Sequence, residues 1–244
     1  MELMLKEVQF CYDRGLPTET RVIDCLSLTV RSGELVSIVG RTGSGKTTLG
    51  LIMAGLLEPT VGEIALRDSD ESLRAGEIQS SAARKRVDVV MVFQFPESQF
   101  FEEDVFSEIA FGPSRLGVSG DELSSRVTSA MRKVNLDVQT LSCRRTSELS
   151  EGEKRRVAIA SALSCEPHFL ILDEPTISLD WEASANILHF LTELKRTGAS
   201  VVVMTHEVES ASLVSDSVVV LAGGRVAASG KLTSEEIYGH LGAG

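Results

Sequence analysis

The chain has 244 residues, of which 43% are hydrophobic, so it is long enough for one large domain or two small ones and too apolar to be disordered. Its formal net charge of -11 disfavours nucleic acid or a lipid surface as a partner, because phosphate groups attract clustered Lys and Arg. No apolar run approaches the ~20 residues of a membrane helix, and the N-terminus lacks a signal-peptide pattern. We therefore expect a cytosolic protein that contacts a membrane only through partners.

The cysteines are far apart in the sequence and form no C-x-x-C pair, so a metal or redox role is not expected. The prediction is small buried thiols in a reducing compartment. The four positions are Cys11, Cys25, Cys143 and Cys165.

Two strands are predicted near the N-terminus. Residues 3–10 have the pattern of an edge strand, and residues 26–30 alternate as a half-buried strand does. Tyr12 follows the first strand. An aromatic residue there is either ordinary packing or, beside a nucleotide, a stacking surface for adenine, and its position leaves both interpretations open.

The strongest motif is a glycine-rich loop between a predicted strand and a predicted helix. Residues 40–47 fit G-x-x-x-x-G-K-[ST], the phosphate-binding loop of P-loop NTPases. The strand before it is the short apolar run at 35–39. The helix after it is indicated by apolar residues at i, i+3, i+4 and i+7, namely Leu49, Ile52, Met53 and Leu56.

The chemistry of this loop follows from its backbone. Its glycines permit turns that point successive N–H groups at one phosphate, and the helix start adds the positive end of its dipole. Lys46 is expected to reach the β- and γ-phosphates, and the Thr47 hydroxyl to bind Mg²⁺. The predicted nucleotide-binding residues here are Gly40, Thr42, Gly43, Ser44, Gly45, Lys46, Thr47 and Thr48.

The middle of the chain contains two more predicted strands and a change of composition. Residues 63–66 and 87–93 are predicted as strands, the second ending at Gln94, and the polar stretch 67–86 as a surface excursion. Helical spacing follows, so we predict a helical subdomain at 95–162, inserted between core strands. The remaining parts, residues 1–94 and 163–244, are then the core together with a β subdomain.

Six of the nine phenylalanines lie between residues 93 and 111. Exposed aromatic patches are rare, which favours a place in the core for most of them, and a groove for a helix of a partner is the alternative. They are Phe93, Phe95, Phe100, Phe101, Phe106 and Phe111.

A helix N-terminus is predicted at residue 150. Ser150 and Glu153 have the S-x-x-E spacing of a capping box. A capped helix is a complete structural interpretation. The functional alternative is that the helix start, with Gly152 at its mouth, binds an anion.

Two buried strands end in polar residues that suit phosphate chemistry. The apolar run 169–172 leads to Asp173, placed to hold Mg²⁺, and Glu174, placed as general base for an attacking water. A solvated acidic end is the structural alternative. The run 200–205 leads in the same way to His206, a candidate γ-phosphate contact.

Beyond these, the sequence predicts a helix at 181–196, a hairpin at 217–227 and a helix from Ser234.

Taken together, the motifs resemble, in order, those of the ATPase subunit of ABC transporters. They are the P-loop at 40–47, the Q-loop Gln94, the signature at 149–153, Asp173-Glu174, the D-loop at 178–180 and His206. The resemblance implies a single ABC ATPase domain over 1–244. Its fold would be α/β, with a RecA-like P-loop NTPase core sheet and flanking helices, an antiparallel β subdomain and an inserted helical subdomain.

The resemblance also implies two subunits closing head to tail on two ATP molecules. Ser150 and Gly152 of one subunit would contact the γ-phosphate bound by the other, and Tyr12 would stack on adenine. The implied catalytic residues are Glu174, His206, Lys46 and Gln94, and the implied Mg²⁺ residues are Thr47, Gln94 and Asp173.

A narrower resemblance lies at residues 93–113, which look like the region after the Q-loop in energy-coupling factor (ECF) transporter ATPases, importers of vitamins and of cobalt or nickel ions. There, the ATPase pair binds a transmembrane T component, and an S component captures substrate. This implies a peripheral subunit on the cytoplasmic face of the membrane, with the phenylalanines forming a docking groove. Homodimer and heterodimer both stay open. The alternatives are another ABC transporter or a soluble ABC ATPase, for example one in cluster assembly.

The signature departs from the usual L-S-G-G-Q of the family. Glu151 replaces the first glycine and Glu153 the glutamine. A carboxylate near a triphosphate costs energy, so the hypothesis is that Glu151 points away and the site works.

Overall fold

The structure, a computed structural model, describes residues 1–67, 87–95 and 100–242. The predicted surface excursion at 67–86 lies outside these residues except for Arg67, and residues 96–99 of the ECF-like segment lie outside them as well. The strands are β1 (Glu2–Tyr12), β2 (Thr20–Arg31), β3 (Leu35–Val39), β4 (Val61–Arg67), β5 (Val89–Val92), β6 (Phe169–Asp173), β7 (Ser200–Thr205), β8 (Ser217–Ala222) and β9 (Arg225–Gly230). The helices are α1 (Lys46–Met53), α2 (Val105–Arg115), α3 (Gly120–Lys133), α4 (Val138–Leu141), a 3₁₀-helix (Thr146–Glu148), α5 (Glu151–Ser164), α6 (Trp181–Arg196), α7 (Val208–Val214) and α8 (Ser234–Gly242).

The larger sheet has the order β5-β6-β7-β3-β8-β9. Its first five strands are parallel, and β9 pairs antiparallel with β8. Every residue of β3, β6 and β7 is buried, as expected for strands covered by helices on both faces. The predicted strand at 35–39, the helix at 181–196 and the hairpin at 217–227 are confirmed.

The smaller sheet is antiparallel and has the order β2-β1-β4, so β1 is its central strand. The edge-strand prediction for residues 3–10 is therefore wrong. Leu3 faces Val30 of β2 on one side and Leu66 of β4 on the other. Alternation along one strand reports which face is buried but not how many neighbours the strand has.

Helices α2 to α5 lie between β5 and β6 in the chain. On α3, Val127, Ala130 and Met131 are buried, and these side chains belong to the same apolar cluster as Leu170 and Leu172 of β6. One core therefore continues from these helices into the sheet. The predicted boundary at residue 162 falls inside α5.

Three expectations about single side chains are wrong. Helix α1 ends at Met53, and Leu56 lies past it with 58% of its surface exposed. Cys165 is buried, but Cys25 and Cys143 are exposed. The preference for the core is wrong for Phe95 and Phe101, which are exposed, whereas Phe93, Phe100 and Phe106 are partly buried against it. Periodicity and composition suggested burial, but they do not determine at which residue a helix ends or which side chains of a loop stay exposed to solvent.

No helix within the described ranges is long and apolar enough to cross a membrane.

The turn between β8 and β9 joins the two sheets. Asp24 of β2 donates its backbone N–H to Gly224 O at 3.0 Å, and its carboxylate accepts two bonds from the Arg225 guanidinium. Gly223 and Gly224 both have positive φ. A Cβ on Gly224 would lie 2.3 Å from Val22 O, whereas one on Gly223 would meet nothing within 4 Å.

This contrast predicts unequal effects for two neighbouring substitutions. Both alanines would carry the left-handed strain of about 1 kcal/mol, but only Gly224→Ala also forces backbone apart, at a further cost of about 1–3 kcal/mol. We expect Gly224→Ala to lower the free energy of unfolding more than Gly223→Ala, as measured by denaturant titration. Equal effects would show that the turn does not pack against β2 in this way.

Candidate active site

The P-loop connects β3 to α1 and leaves the helix N-terminus open. Gly45, the N-cap, has φ of 99° and offers no side-chain cap to the first turn. A Cβ on Gly40 would lie 2.3 Å from Ser44 Oγ and 2.6 Å from Leu221 O, so the loop closes tightly at this point. The free N–H groups of the first helical turn are therefore available to an anion, as predicted from the sequence.

Lys46 is buried within the loop. Its Nζ donates to Gly40 O at 2.8 Å and lies 3.5 Å from Glu174 Oε1. The ammonium group is thus fixed between the loop backbone and the carboxylate at the end of β6. A bound phosphate would therefore find the Lys46 ammonium already in position, with no change of side-chain rotamer needed.

Asp173 and Thr47 form an oxygen pair beside the loop. The Thr47 hydroxyl donates to Asp173 Oδ2 at 2.7 Å. Burial raises the pKa of the Asp173 carboxyl, and the bond from Thr47 opposes that rise. Among the described residues, the buried Oδ1 of Asp173 has no hydrogen-bond partner. A carboxylate with one unsatisfied oxygen next to a hydroxyl suits a hard divalent cation such as Mg²⁺.

Glu174 is held by contacts on both sides. Its Oε2 lies 2.9 Å from His206 Nδ1 and accepts the His206 backbone N–H at 3.3 Å. Its own N–H donates to Met204 O at 2.8 Å, and its φ of 47° is unusual for a residue with a side chain. The strained turn directs a buried carboxylate off the end of β6 toward β7.

These groups line one cavity, which is called the P-loop cavity below. It is lined by Val22, Thr42, Gly43, Gly45, Lys46, Thr47, Thr48, Gln94, Asp173, Glu174, Ile177 and His206. The structure therefore brings together most of the predicted P-loop residues with Gln94, both acids and the histidine. Gly40 and Ser44 are buried and are not among the residues that line the cavity.

Tyr12 lies next to this cavity without lining it. Its hydroxyl is 3.2 Å from Thr48 Oγ1, and its ring meets Phe10 edge to face with centroids 4.9 Å apart. Tyr12 is 41% exposed, so one part of the ring is packed and another is open to solvent. Both interpretations from the sequence remain compatible with this position.

The predicted signature lies elsewhere. Ser150 caps α5, and the capping box is confirmed because Glu153 N donates to Ser150 Oγ while Ser150 N donates to Glu153 Oε2. Hydrogen bonds from Ser150 hold the pKa of Glu153 low although partial burial opposes them. Glu151 is exposed and pairs with Lys154 at 2.8 Å.

Ser150 and Gly152 line a second cavity, which is called the signature cavity below. It also includes Ser178 and Asp180 of the D-loop. The signature cavity and the P-loop cavity have no lining residue in common. Within one chain, the predicted ATP-contacting residues thus fall into two separate places.

Sequence reasoning missed three residues around the P-loop cavity. Val22 and Ile177 line it, and buried Arg155 donates to the backbone behind it. A sequence signal exists for Arg155 alone: it precedes Ala158 and Ile159 by three and four residues, so helical spacing places it on the buried side of α5. The contributions of Val22 and Ile177 depend on how separate elements pack.

The fold and the P-loop cavity define an α/β P-loop NTPase. A family model described as ABC transporter matches residues 23–177, and a shorter match over 144–211 is to an AAA domain described as putative AbiEii toxin, Type IV TA system.

Similar curated proteins and solved structures indicate which family of P-loop NTPases the chain resembles. The Energy-coupling factor transporter ATP-binding protein EcfA2 of Clostridium acetobutylicum is 37% identical over 99% of this chain and 82% of its own length. EcfA2 of Symbiobacterium thermophilum is 39% identical over 93% of this chain and 77% of its own. The structure of cbiO1 from Clostridium perfringens, described as part of the ABC transporter complex cbiONQ, has a TM-score of 0.80 and 30% identity over 97% of this chain and 90% of its own. The ATP-binding cassette MJ0796, solved as a dimer bound to ADP and Pi, has a TM-score of 0.80 and 26% identity. The match covers 95% of this chain and 99% of the cassette.

The chain belongs to the ABC transporter family, and within it to the energy-coupling factor transporter ATP-binding proteins.

The raised pKa of Asp173 gives a prediction for the protein without nucleotide. The unfolded chain loses this proton near the ordinary value of 3.8 and the folded chain only at higher pH, so the stability of the fold falls as the pH rises from 3.8 through the folded pKa and stays low above it. Asn keeps an acceptor for Thr47 and carries no charge. We expect Asp173→Asn to raise the thermal midpoint near neutral pH, with the gain shrinking as the pH falls toward the ordinary value.

The measurement is thermal unfolding without nucleotide or Mg²⁺ across a pH series. Asp121→Asn, in the first turn of α3, is the control for loss of an acid elsewhere. A midpoint below that of the wild type at neutral pH would contradict the prediction.

Proposed function

We propose that the chain is the ATP-binding and ATP-hydrolysing subunit of an ECF-type ABC importer, and that two such subunits close head to tail on two ATP molecules. The observation that carries this proposal is the separation of the P-loop cavity from the signature cavity in one chain. Each cavity has half of the ATP-contacting groups. A second ATPase subunit, identical or paralogous, completes both.

The surface around the signature cavity supports a partner at this place. Trp181, the one tryptophan of the chain, follows Asp180 and is 87% exposed. Large exposed apolar side chains beside a concave polar site are typical of interfaces. Structures of the similar cassette MJ0796 are described as dimeric.

The phosphates of ATP bind to the N–H groups of the P-loop and to Lys46, and Tyr12 stacks on the adenine. On binding, the Lys46 ammonium exchanges its contact with Glu174 for the β- and γ-phosphates. Thr47, Asp173 and Gln94 hold Mg²⁺, which supplies charge neutralisation at the phosphates. The partner contributes Ser150 and Gly152 at the start of α5, where the helix dipole favours an anion.

Glu174 acts as the general base in hydrolysis. A water oxygen attacks the γ-phosphorus, its proton passes to the Glu174 carboxylate, and the bond from the γ-phosphorus to the bridging oxygen of ADP breaks. The 2.9 Å contact with His206 Nδ1 orients the carboxylate, and His206, which lines the same cavity, would contact the γ-phosphate there. Gln94, which follows β5, also lines this cavity.

Glu151 is compatible with this arrangement. Glu151 lines the signature cavity, but its carboxylate is 63% exposed and pairs with Lys154 at 2.8 Å, so its charge is partly compensated and solvated. The adjacent Glu153 uses its carboxylate for the capping box. We infer that the altered signature functions.

The partner on the membrane side docks in a groove of phenylalanines. Phe101 is 76% exposed and stacks on Phe111 with centroids 5.4 Å apart. Phe100, Ala158 and Ala162 form further parts of the same groove. Its apolar lining and open shape suit a helix of a transmembrane T component, with an S component capturing the vitamin or metal ion, so the chain would act at the cytoplasmic face of the membrane.

The direct test is a tagged pull-down from solubilised native membranes with identification of the co-purifying chains by mass spectrometry. The proposal expects a multi-span T-type protein, a small membrane S protein, and either one or two kinds of ATPase subunit. Recovery from the soluble fraction without a membrane partner would contradict it and favour a soluble ABC ATPase.

Glu174→Gln should retain ATP binding and stall hydrolysis, because the amide keeps the shape of the carboxylate but accepts no proton. The turnover number should fall by about 10²–10⁴-fold, and a closed dimer should appear by size exclusion with Mg²⁺ and ATP. Glu193→Gln, near the far end of α6, is the matched control. Normal turnover by Glu174→Gln would exclude Glu174 as the base.

Phe101→Ala should reduce recovery of the membrane partners, because it removes the most exposed ring of the groove. ATP binding by the purified variant checks that it is folded. Leu213→Ala removes a similarly exposed apolar side chain, 82% exposed, from α7 and should not reduce recovery. Equal recovery with both variants would place the docking surface elsewhere.

A further inference from the structure

Arg155 is a buried charged residue one turn into α5, with 5% of its surface exposed. Its Nη1 donates to the backbone carbonyl of Gln94 in a short hydrogen bond, and its Nη2 donates to Ile177 O at 3.2 Å. Both acceptors belong to residues that line the P-loop cavity. One guanidinium therefore supports two walls of that cavity from behind.

The two acceptors lie outside regular secondary structure. Gln94 follows β5, and Ile177 lies between β6 and α6, close to the D-loop. Within the described ranges, neither carbonyl takes part in a strand ladder or a helix, so the bonds from Arg155 help to hold these segments in place. They are 61 and 22 residues away from Arg155 in the chain, and the link exists only in the folded protein.

The chemistry of this link requires arginine. The guanidinium presents several N–H donors in a rigid planar fork, which can serve two carbonyls at once. A lysine ammonium at the end of a flexible stem holds one of them well, and a methionine of similar shape holds neither. Arginine, lysine and methionine at this position would therefore make two, one and no hydrogen bonds to the two carbonyls, while the packing of the side chain changes less.

We infer that Arg155 is a positioning residue that couples the two ATP sites of the dimer, an inference that rests on the proposed function. In its own chain it fixes Gln94 and Ile177 at one ATP. Its helix begins at Ser150, which serves the other ATP, about one turn away. When the dimer closes and the start of α5 moves in one subunit, Arg155 transmits that movement to the walls of the P-loop cavity in the same subunit.

Loss of this link should affect turnover rather than nucleotide affinity. The P-loop contacts of ATP come from the loop and α1, whereas the two bonds of Arg155 described above go to Gln94 and Ile177. The walls that Arg155 holds bear on hydrolysis, and small misplacements of such groups reduce rates by about 10- to 100-fold. We expect Arg155→Met to lower kcat by about that factor and Arg155→Lys to lie between Arg155→Met and the wild type.

The test uses the purified full chain. The dissociation constant of ATP, kcat, KM and the thermal midpoint are measured for both variants, and ATP-driven dimerisation is measured after adding each substitution to Glu174→Gln. Arg126→Met is the control: Arg126 is a partly buried arginine of α3 that pairs with Glu122 and Glu166. The expected result is an ATP affinity close to wild type, a lowered kcat and weakened dimerisation for Arg155→Met, and none of these for Arg126→Met.

Two results would overturn the inference. One is a folded Arg155→Met with kcat within about twofold of the wild type. The other is a parallel loss of affinity, kcat and thermal midpoint in both Arg155→Met and Arg126→Met, which would mean a structural role alone. If Arg155→Met does not fold, Arg155→Lys decides in the same way, with a wild-type kcat counting against the inference. Failure of the wild type to hydrolyse ATP, or of Glu174→Gln to dimerise, would instead contradict the proposed function.

Discussion

The parallel pairing of β7 with both β3 and β6 determines where the catalytic groups of this chain lie. Val39, the last residue of β3, pairs with Thr205, and Asp173, the last of β6, pairs with Met204. Three strands therefore end at one edge, and the P-loop, Glu174 and His206 follow directly from those ends. Any shift in register would separate the Lys46 ammonium, the Asp173 carboxylate and the His206 ring, which now face one cavity.

The same arrangement lets an acidic protein bind a polyanion. The formal net charge is -11, and among the described residues that line the P-loop cavity two are carboxylates while Lys46 is the one Lys or Arg. The attraction for phosphate therefore comes from oriented backbone N–H groups, the α1 dipole and the single ammonium, not from an excess of basic side chains. The buried, unsatisfied oxygen of Asp173 is consistent with a site completed by a divalent cation.

The sequence predicted the features that depend on strand ends and local motifs. The P-loop, the acids after β6, His206 after β7 and the capping box at Ser150 all follow from short-range patterns, and the structure places them as expected. Contacts between distant segments could not be predicted in this way. The central position of β1 depends on β4 returning to its open edge, and the exposure of Phe101 depends on which face of α2 and α5 is left uncovered.

Arg155 shows why such contacts matter for function. Helix α5 has 14 residues and is about 21 Å long; it begins after the signature cap Ser150 and includes Ala162, which lines the phenylalanine groove. Arg155 lies between Ser150 and Ala162 and donates to the carbonyl of Gln94, and β5, which precedes Gln94, contributes Val90, Met91 and Val92 to the groove. A helix is stiff over this distance, so in the proposed importer a force from a membrane partner docked in the groove would act on the signature and, through one guanidinium, on the walls of the P-loop cavity. The same helix would then connect the docking groove with both halves of the ATP site.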